Sequence, residues 1–237
     1  MELGGTDSDG REFKNAEEMW REEIGDQDKK TQWYQRGVGY WEGVEATVDG
    51  VLGGYGHVNE PDIKCSEAFL KTLFSELGVA TTADRHVVAL GIMGLFDKEV
   101  SFQDQFEKPD FLFLWFINPS IEIEASENLQ SALIRDCGSG IGRVTKNLLV
   151  RYFSEVDLVE PVSHFLEAAR ESLTCMDCTI SDNHKAANFY CVPLQEFTPE
   201  KGRYDVIWVQ WCIGQLSDDD FVSFFKRAKV NLNLFLY

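Results

Sequence analysis

Apolar residues along this chain fall into two rhythms, and the elements they predict alternate. Phe69, Leu70, Leu73, Phe74 and Leu77 recur at three- and four-residue steps, as do Phe165, Leu166, Ala169 and Leu173, and then Phe221, Phe224 and Phe225. Each set predicts a helix with one buried stripe, over 66–77, 162–173 and 218–228, the last with Ser217 as its cap. Between them stand short apolar runs of β-rich composition at 132–134, 156–159, 188–195 and 204–211. These predict strands, each ending in polar or aromatic residues. Strands and helices in alternation argue for an α/β fold, a mostly parallel sheet flanked by helices.

The first of these strands runs into Asp136-Cys137-Gly138-Ser139-Gly140-Ile141-Gly142-Arg143, and helix-like Val144-Thr145-Lys146-Asn147-Leu148-Leu149 follows. Glycine belongs where the backbone takes positive φ or must lie against a ligand with no side chain between them. The helix start beyond offers free N–H groups. A nucleotide-like cofactor is the guest such a turn suits. The dinucleotide fingerprint, G-x-G-x-x-G, does not fit, because the third glycine comes one residue early and an acid opens the turn. Glu160, just past the second strand, stands where an acid meets ribose hydroxyls in βαβ nucleotide sites. Gly138, Glu160, Gln195 and Gln210 all fall at carboxyl ends of predicted strands, where ligands of such sheets bind.

Composition narrows the partners. With 237 residues and 44% hydrophobic content the chain has ample material for a core. Acidic residues outnumber basic ones 40 to 22, a formal charge of −18, which opposes rather than drives binding to nucleic acid. Residues 1–32 read as an acidic arm, solvated or loosely held over its first 30 residues, with a weakly amphipathic piece at 13–24. No basic, apolar, cleavable leader opens the sequence, so an intracellular protein is expected, cytoplasmic and also nuclear. The most apolar window, 111–117, is far too short to span a bilayer as a helix. Cys175, Cys178, His184 and Cys191 have the look of a zinc knuckle, but Cys191 falls within a predicted buried strand. No metal is expected. His57, His86 and His164 show no ligand spacing.

Aromatics gather at Trp33, Tyr34, Tyr40 and Trp41, ahead of the glycine-dense stretch 48–57 that suits a cover over a bound ligand. With these residues in hand, the chain resembles the protein α-N-terminal methyltransferases, which methylate the free amino terminus of proteins beginning Xaa-Pro-Lys or Xaa-Pro-Arg. The motifs carrying the likeness are Tyr40-Trp41, then 48–57, 136–143, 194–199 and 204–214, across roughly 33–90 and 136–229. The resemblance implies a Rossmann-like methyltransferase fold and S-adenosylmethionine (SAM) as cofactor. It implies that Gly138 and Arg143 hold the methionine part, Glu160 the ribose, Leu194 and Gln195 the adenine side, and Gln210 the reactive end. It also implies a substrate groove walled by Tyr40, Trp41 and Trp211, with Leu52 and Gly53 in the loop that closes it.

Three departures from the family pattern stand out. Residues 91–135 interrupt the passage from Val87-Val88-Ala89-Leu90 to Asp136, so the organisation expected is an arm to 32, a helical and gating-loop segment 33–90, an atypical insertion 91–135 and a SAM-binding core 136–237. Residues 131–134 must then stand in for 87–90 as the first strand, putting Arg135 where an apolar residue belongs. After Lys229 the family continues into further strands and acidic residues, whereas this sequence reads 230–237 and stops, so the C-terminal strands are expected to be missing and a sheet edge left unpaired. Gly91 and Val230 are residues whose codons can begin with the bases of an intron's 5′ end, and both blocks are expected to be retained introns. A transcript joining Leu90 to Asp136 would bear on this directly. Gln215 stands where the pattern has a histidine. Since an α-amine near neutral pH must lose a proton before it attacks, weak or absent activity is expected. The alternatives are a non-catalytic relative that binds SAM or basic peptide termini, and a small-molecule methyltransferase.

Overall fold

The computed structural model describes residues 4–7, 10–76, 87–91, 115–116, 133–174 and 184–231. Two compact units divide the chain, residues 1–44 and 45–237.

In the first unit a small antiparallel pair, β1 (Gly5–Thr6) and β2 (Glu12–Phe13), precedes helices α1 (Ala16–Ile24) and α2 (Gln27–Glu42). Asn15 caps α1 by accepting from the Glu18 N–H at 2.8 Å, and Glu18 answers by accepting from the Lys14 N–H. Asp26 caps α2 in the same way through Lys29. Such caps satisfy N–H groups that a helix start leaves free. Trp20 meets Trp33 edge-on at 6.0 Å between ring centroids, and Trp33 meets Tyr34 at 4.9 Å. Within the segment expected to be a loosely held arm, residues 16–24 and 27–32 are helical, each helix capped at its start. The segment's acidic side chains find work as caps and as ion-pair partners, as Glu23 does for Arg11 and Arg36.

The second unit contains α3 (Val48–Val51), α4 (Asn59–Glu76), β3 (Val87–Gly91), β4 (Trp115–Phe116) and β5 (Leu133–Cys137). A π-helical turn (Thr145–Leu149) runs into α5 (Val150–Tyr152), followed by β6 (Glu155–Val159), α6 (Ser163–Thr174), β7 (Lys185–Tyr190), β8 (Val206–Gln210) and α7 (Asp218–Asn231). The sheet order is β4-β3-β8-β5-β6-β7, parallel throughout except for β4. The chain steps outward from β5 to β6 to β7 and returns with β8 on the other side of β5. The switch point of the sheet thus lies between β5 and β8, where ligands of open α/β sheets bind.

Apolar residues of one sheet face, Ile134, Val156, Leu158, Val206 and Trp208, pack with Leu70, Leu148, Leu149, Phe153 and Leu166 from the covering helices. Phe69 lies 6.0 Å from Trp208 between ring centroids. The helices expected at 66–77, 162–173 and 218–228 are present, the first starting seven residues earlier at Asn59. In the first turn of α7 the Ser217 hydroxyl donates to the Asp220 carboxylate at 3.0 Å.

Two boundaries differ from expectation. The third strand stops at Tyr190, because Pro193 lacks the N–H a ladder needs and the chain turns there. Cys191 is consequently exposed rather than buried in a strand. Residues 87–90 are not displaced by 131–134. Both segments join the sheet, with β5 at its centre and β3 beyond β8, in register from Val87 opposite Val206 to Gly91 opposite Gln210. β8 is thereby paired on both sides, with β5 and with β3. A strand buried at every residue, as β8 is, cannot leave one side of its peptide groups without partners except at high cost.

Arg135 occupies the position where an apolar residue was expected, and it is 1% exposed. Its guanidinium lies 4.1 Å from the ring centroids of Phe197 and Tyr204, 4.4 Å from that of Tyr190, and 3.3 Å from Asp157 Oδ2. Asp157 in turn accepts from the Tyr204 hydroxyl, Asn188 and Arg203. Aromatic faces stabilise a desolvated cation that a plain apolar slot would reject.

Cys175 and Cys178, residues 232–237 and most of 91–135 lie outside the described residues. Among the described residues no Cys, His and carboxylate cluster could hold a metal, and no helix is long and apolar enough to cross a membrane.

Candidate cofactor and substrate site

β5 ends at Cys137 and the glycine turn begins. Gly138, Gly140 and Gly142 all take positive φ, at 69°, 52° and 71°. At Gly138 a side chain is doubly forbidden, since a Cβ there would lie 2.4 Å from Cys212 Sγ and 2.6 Å from Cys212 Cβ. The turn is hung on β6, with the N–H groups of Gly138 and Ser139 both donating to the Val159 carbonyl. Glu160, the next residue, reaches back. One carboxylate oxygen accepts from the Gly140 N–H at 2.9 Å and the other from the Val162 N–H at 3.0 Å. The structure thus sets Glu160 beside the glycine turn, with Gly140 bonded to Glu160 and Gly138 to Val159. Burial raises the Glu160 carboxyl above its ordinary value, and the two backbone bonds act against that.

Asp136, in the last turn of β5, accepts from the Thr145 hydroxyl at 2.7 Å. Burial lifts its carboxyl to about 6, the Thr145 bond pulling the other way. The folded state then holds this proton more tightly than the unfolded chain. The stabilisation from that proton is fully present below about pH 4 and is lost as pH rises to about 6. Asp136→Asn, which cannot ionise, should gain on the wild type over that window, by at most about 3 kcal/mol. Thermal melts of the two proteins at several pH values test this, and a difference independent of pH would refute it. Burial pushes the neighbouring thiol of Cys137 up to about 12 and that of Cys212 well above its usual value, which disfavours their thiolates.

The other wall of the switch point is the end of β8. Gln210 is 5% exposed and its amide is fully used by protein, donating to Asp62 at 2.9 Å and Ser66 at 3.1 Å and accepting from Trp208. Trp211, the next residue, has φ 65°, and its indole N–H donates to Asp62 Oδ1 at 3.1 Å. Arg143, past the glycine turn, sets Nη1 2.6 Å from Asp62 Oδ2 and 3.1 Å from Asn59 Oδ1. Three residues of α4 that sequence reasoning missed, Asn59, Asp62 and Ser66, thus gather Arg143, Gln210 and Trp211. Their spacing of three and four places them on one helical face. Reading the stripe of α4 only from Ser66 onward, as packing, overlooked the polar first turns.

The loop at 48–57 is a capped helical turn. Thr47 Oγ1 accepts from the Gly50 N–H, Asp49 accepts from the Gly56 N–H, and Leu52 and Gly53 close α3, with Gly53 at φ 61°. A Cβ on Gly140 would come 3.9 Å from Val51 Cγ1, so this loop lies beside the glycine turn. Leu194 is buried and Gln195 half-buried. Their carbonyls, with that of Phe197, accept from the Arg227 guanidinium, which pins the segment after β7. Gln215 is exposed in a 3₁₀ turn. Tyr40 and Trp41 belong to the first unit, at the end of α2, 5.2 Å apart between ring centroids.

A nucleoside cofactor with a charged amino-acid tail suits this donor set. Each Glu160 oxygen keeps a lone pair after its backbone bond, enough for two ribose hydroxyls. The Ser139 hydroxyl is buried in the turn with no partner among the described residues, an orphaned polar atom of the kind a ligand satisfies. Both Arg143 contacts use Nη1, leaving the rest of the guanidinium fork for a carboxylate.

Sheet order, glycine turn and acid at the end of β6 together define a SAM-dependent methyltransferase. A solved SAM-dependent methyltransferase from Leishmania major superposes with a TM-score of 0.64 at 28% identity, covering 98% of this chain and 70% of that one. A family model described as AdoMet dependent proline di-methyltransferase matches residues 29–95 and 113–234, and the chain belongs to that family. Among its relatives are the alpha N-terminal protein methyltransferase 1 of Arabidopsis thaliana and the N-terminal Xaa-Pro-Lys N-methyltransferase 1-B of Xenopus laevis. The first is 55% identical over 232 residues, 97% of this chain and 67% of the relative. The second is 33% identical over 203 residues, 86% of this chain and 67% of the relative. SAM is accordingly the cofactor of the family.

Proposed function

We propose that the protein transfers methyl groups from SAM to the free α-amino group of proteins beginning Xaa-Pro-Lys or Xaa-Pro-Arg. The observation that carries this reading is the convergence of Gly138, Arg143, Glu160 and Trp211 on the β5–β8 switch point, in a chain whose relatives bear that activity in their names. When bound, SAM supplies an electrophilic methyl group on sulfur. The chain's own residues then have distinct tasks. Glu160 takes the ribose hydroxyls, the Arg143 guanidinium and the bare amides of the turn hold the amino-acid tail, and the segment of Leu194 and Gln195 borders the base. Gln210 fixes the end of β8 from beneath, and the Trp211 ring with Leu52 and Gly53 bounds the place where a chain terminus must enter. An acidic protein, at −18, also attracts a substrate with a cation at its third position.

Amine attack requires an unprotonated nitrogen in line with the methyl carbon. Gln215, in place of a proton acceptor, is proposed to hold turnover down. Gln215→His should raise kcat on an Xaa-Pro-Lys peptide by about 10-fold or more, most strongly below the amine's pKa of about 8, with SAM affinity unchanged. Titration calorimetry with SAM, paired with mass-spectrometric methylation of Xaa-Pro-Lys and Xaa-Ala-Lys peptides, tests the whole reading. A folded protein that binds neither SAM nor the proline peptide would refute it. Peptide binding with SAM binding but no methyl transfer, in wild type and Gln215→His alike, would favour the non-catalytic relative.

A further inference from the structure

We infer that Asp62 is a positioning residue that sets the cofactor-facing guanidinium of Arg143 and the substrate-facing indole of Trp211 at once. The inference rests on the proposed function and deepens it. Asp62 is 0% exposed, a carboxylate with no solvent to relax into. Its Oδ2 faces Arg143 Nη1 at 2.6 Å, while its Oδ1 accepts from Gln210 Nε2 at 2.9 Å and Trp211 Nε1 at 3.1 Å. One side chain therefore spans the two walls of the switch point, reaching the glycine-turn side by one oxygen and the end of β8 by the other.

The backbone gives a second reason. Trp211 is the one non-glycine residue at positive φ among the described residues. A large side chain pays for that conformation and keeps it only where its surroundings hold it. The bond to Asp62, from 149 residues away, is one of the contacts that hold it. Removing that acceptor takes this hydrogen bond from the ring. Removing the negative charge instead leaves the ring its acceptor and takes from Arg143 its ion pair, with only the bond to Asn59 kept.

The two oxygens can be separated by substitution. Asp62→Asn keeps an acceptor for Gln210 and Trp211 but presents an uncharged amide to Arg143. It should weaken SAM binding about 10-fold and leave affinity for an Xaa-Pro-Lys peptide within about twofold. Trp211→Phe should do the reverse. Asp62→Ala should weaken both, and adding Trp211→Phe to it should cost less peptide affinity than in the wild type, because the pair is coupled. In ¹H–¹⁵N spectra the Trp211 indole resonance, assigned by its loss in Trp211→Phe, should shift in Asp62→Ala and stay near its wild-type position in Asp62→Asn. Should Asp62→Ala fail to fold, the isosteric Asp62→Asn still carries the test. Equal loss of both ligands in Asp62→Asn, in step with a fall in Tm, or no loss of either, would overturn the inference. A wild-type protein that binds neither ligand would instead overturn the proposed function, and the indole resonance would still report whether Asp62 holds Trp211.

Discussion

Gly138→Ala should weaken SAM binding by roughly 100-fold or more and cost the fold several kcal/mol. The residue sits at φ 69°, a conformation that costs an alanine about 1–2 kcal/mol. The added methyl would also lie 2.4 Å from Cys212 Sγ and 2.6 Å from Cys212 Cβ. The second distance matters more than the first, because a Cβ is fixed to the backbone and cannot swing away. Either the turn lifts off β6, breaking the bonds from Gly138 and Ser139 to Val159, or the segment after β8 moves. Overpacking of this kind adds about 1–3 kcal/mol, and the total is about 2–5 kcal/mol. On the proposed reading the same turn offers its amides to the cofactor, and affinity for SAM should then fall by roughly 100-fold or more, on the order of 3 kcal/mol. Two companion variants separate the causes. Cys212→Ala keeps the offending Cβ and should not rescue Gly138→Ala, whereas Cys212→Gly should recover the steric share and leave the backbone strain. Calorimetry and thermal melts read both effects, and SAM affinity within twofold of wild type in Gly138→Ala would contradict this account of the turn.

The second large effect is expected beneath the sheet. Arg135→Ala empties the space between Tyr190, Phe197 and Tyr204 and strips Asp157 of one of its cationic partners. A cavity plus a broken buried pair should cost about 3–5 kcal/mol in chemical denaturation. Arg135→Met should cost far less, within about 1.5 kcal/mol. Two guanidinium nitrogens, Nε and Nη1, lack hydrogen-bond partners among the described residues, and a methionine fills much of the same space with no such atoms. Asp157 is not abandoned in that variant, since Arg203 remains 3.0 Å away and Tyr204 and Asn188 still donate to it. If methionine proves as damaging as alanine, the rings are holding the charge itself rather than the volume, and cation–π attraction dominates the site.

The contrast between these two positions explains how far the sequence could be read. At Gly138 the local pattern sufficed: an apolar run, an acid, alternating glycines and a helix start describe a turn whose geometry depends on residues close by. Arg135 looked like a misfit because its accommodation comes from aromatic residues 55 to 69 positions later, and no local signal announces them. The same division runs through the candidate site. Glu160 was legible because strand length fixes its distance from the turn. Asn59, Asp62 and Ser66 were not, because a polar face on the first turns of a helix looks the same whether it meets water or an arginine.

Periodicity in the sequence therefore determined the main helices and strands of the α/β core and that its strands run mostly parallel. Alternation and glycine content are local properties of the chain, and local sterics enforce them. Only the tertiary structure decided that 87–91 pairs with β8 on the side away from β5, that aromatic rings enclose Arg135, and that one carboxylate on α4 bridges Arg143 and Trp211. Those outcomes depend on partners distant in the sequence, and a hydrophobic pattern records that a surface is buried without recording what covers it.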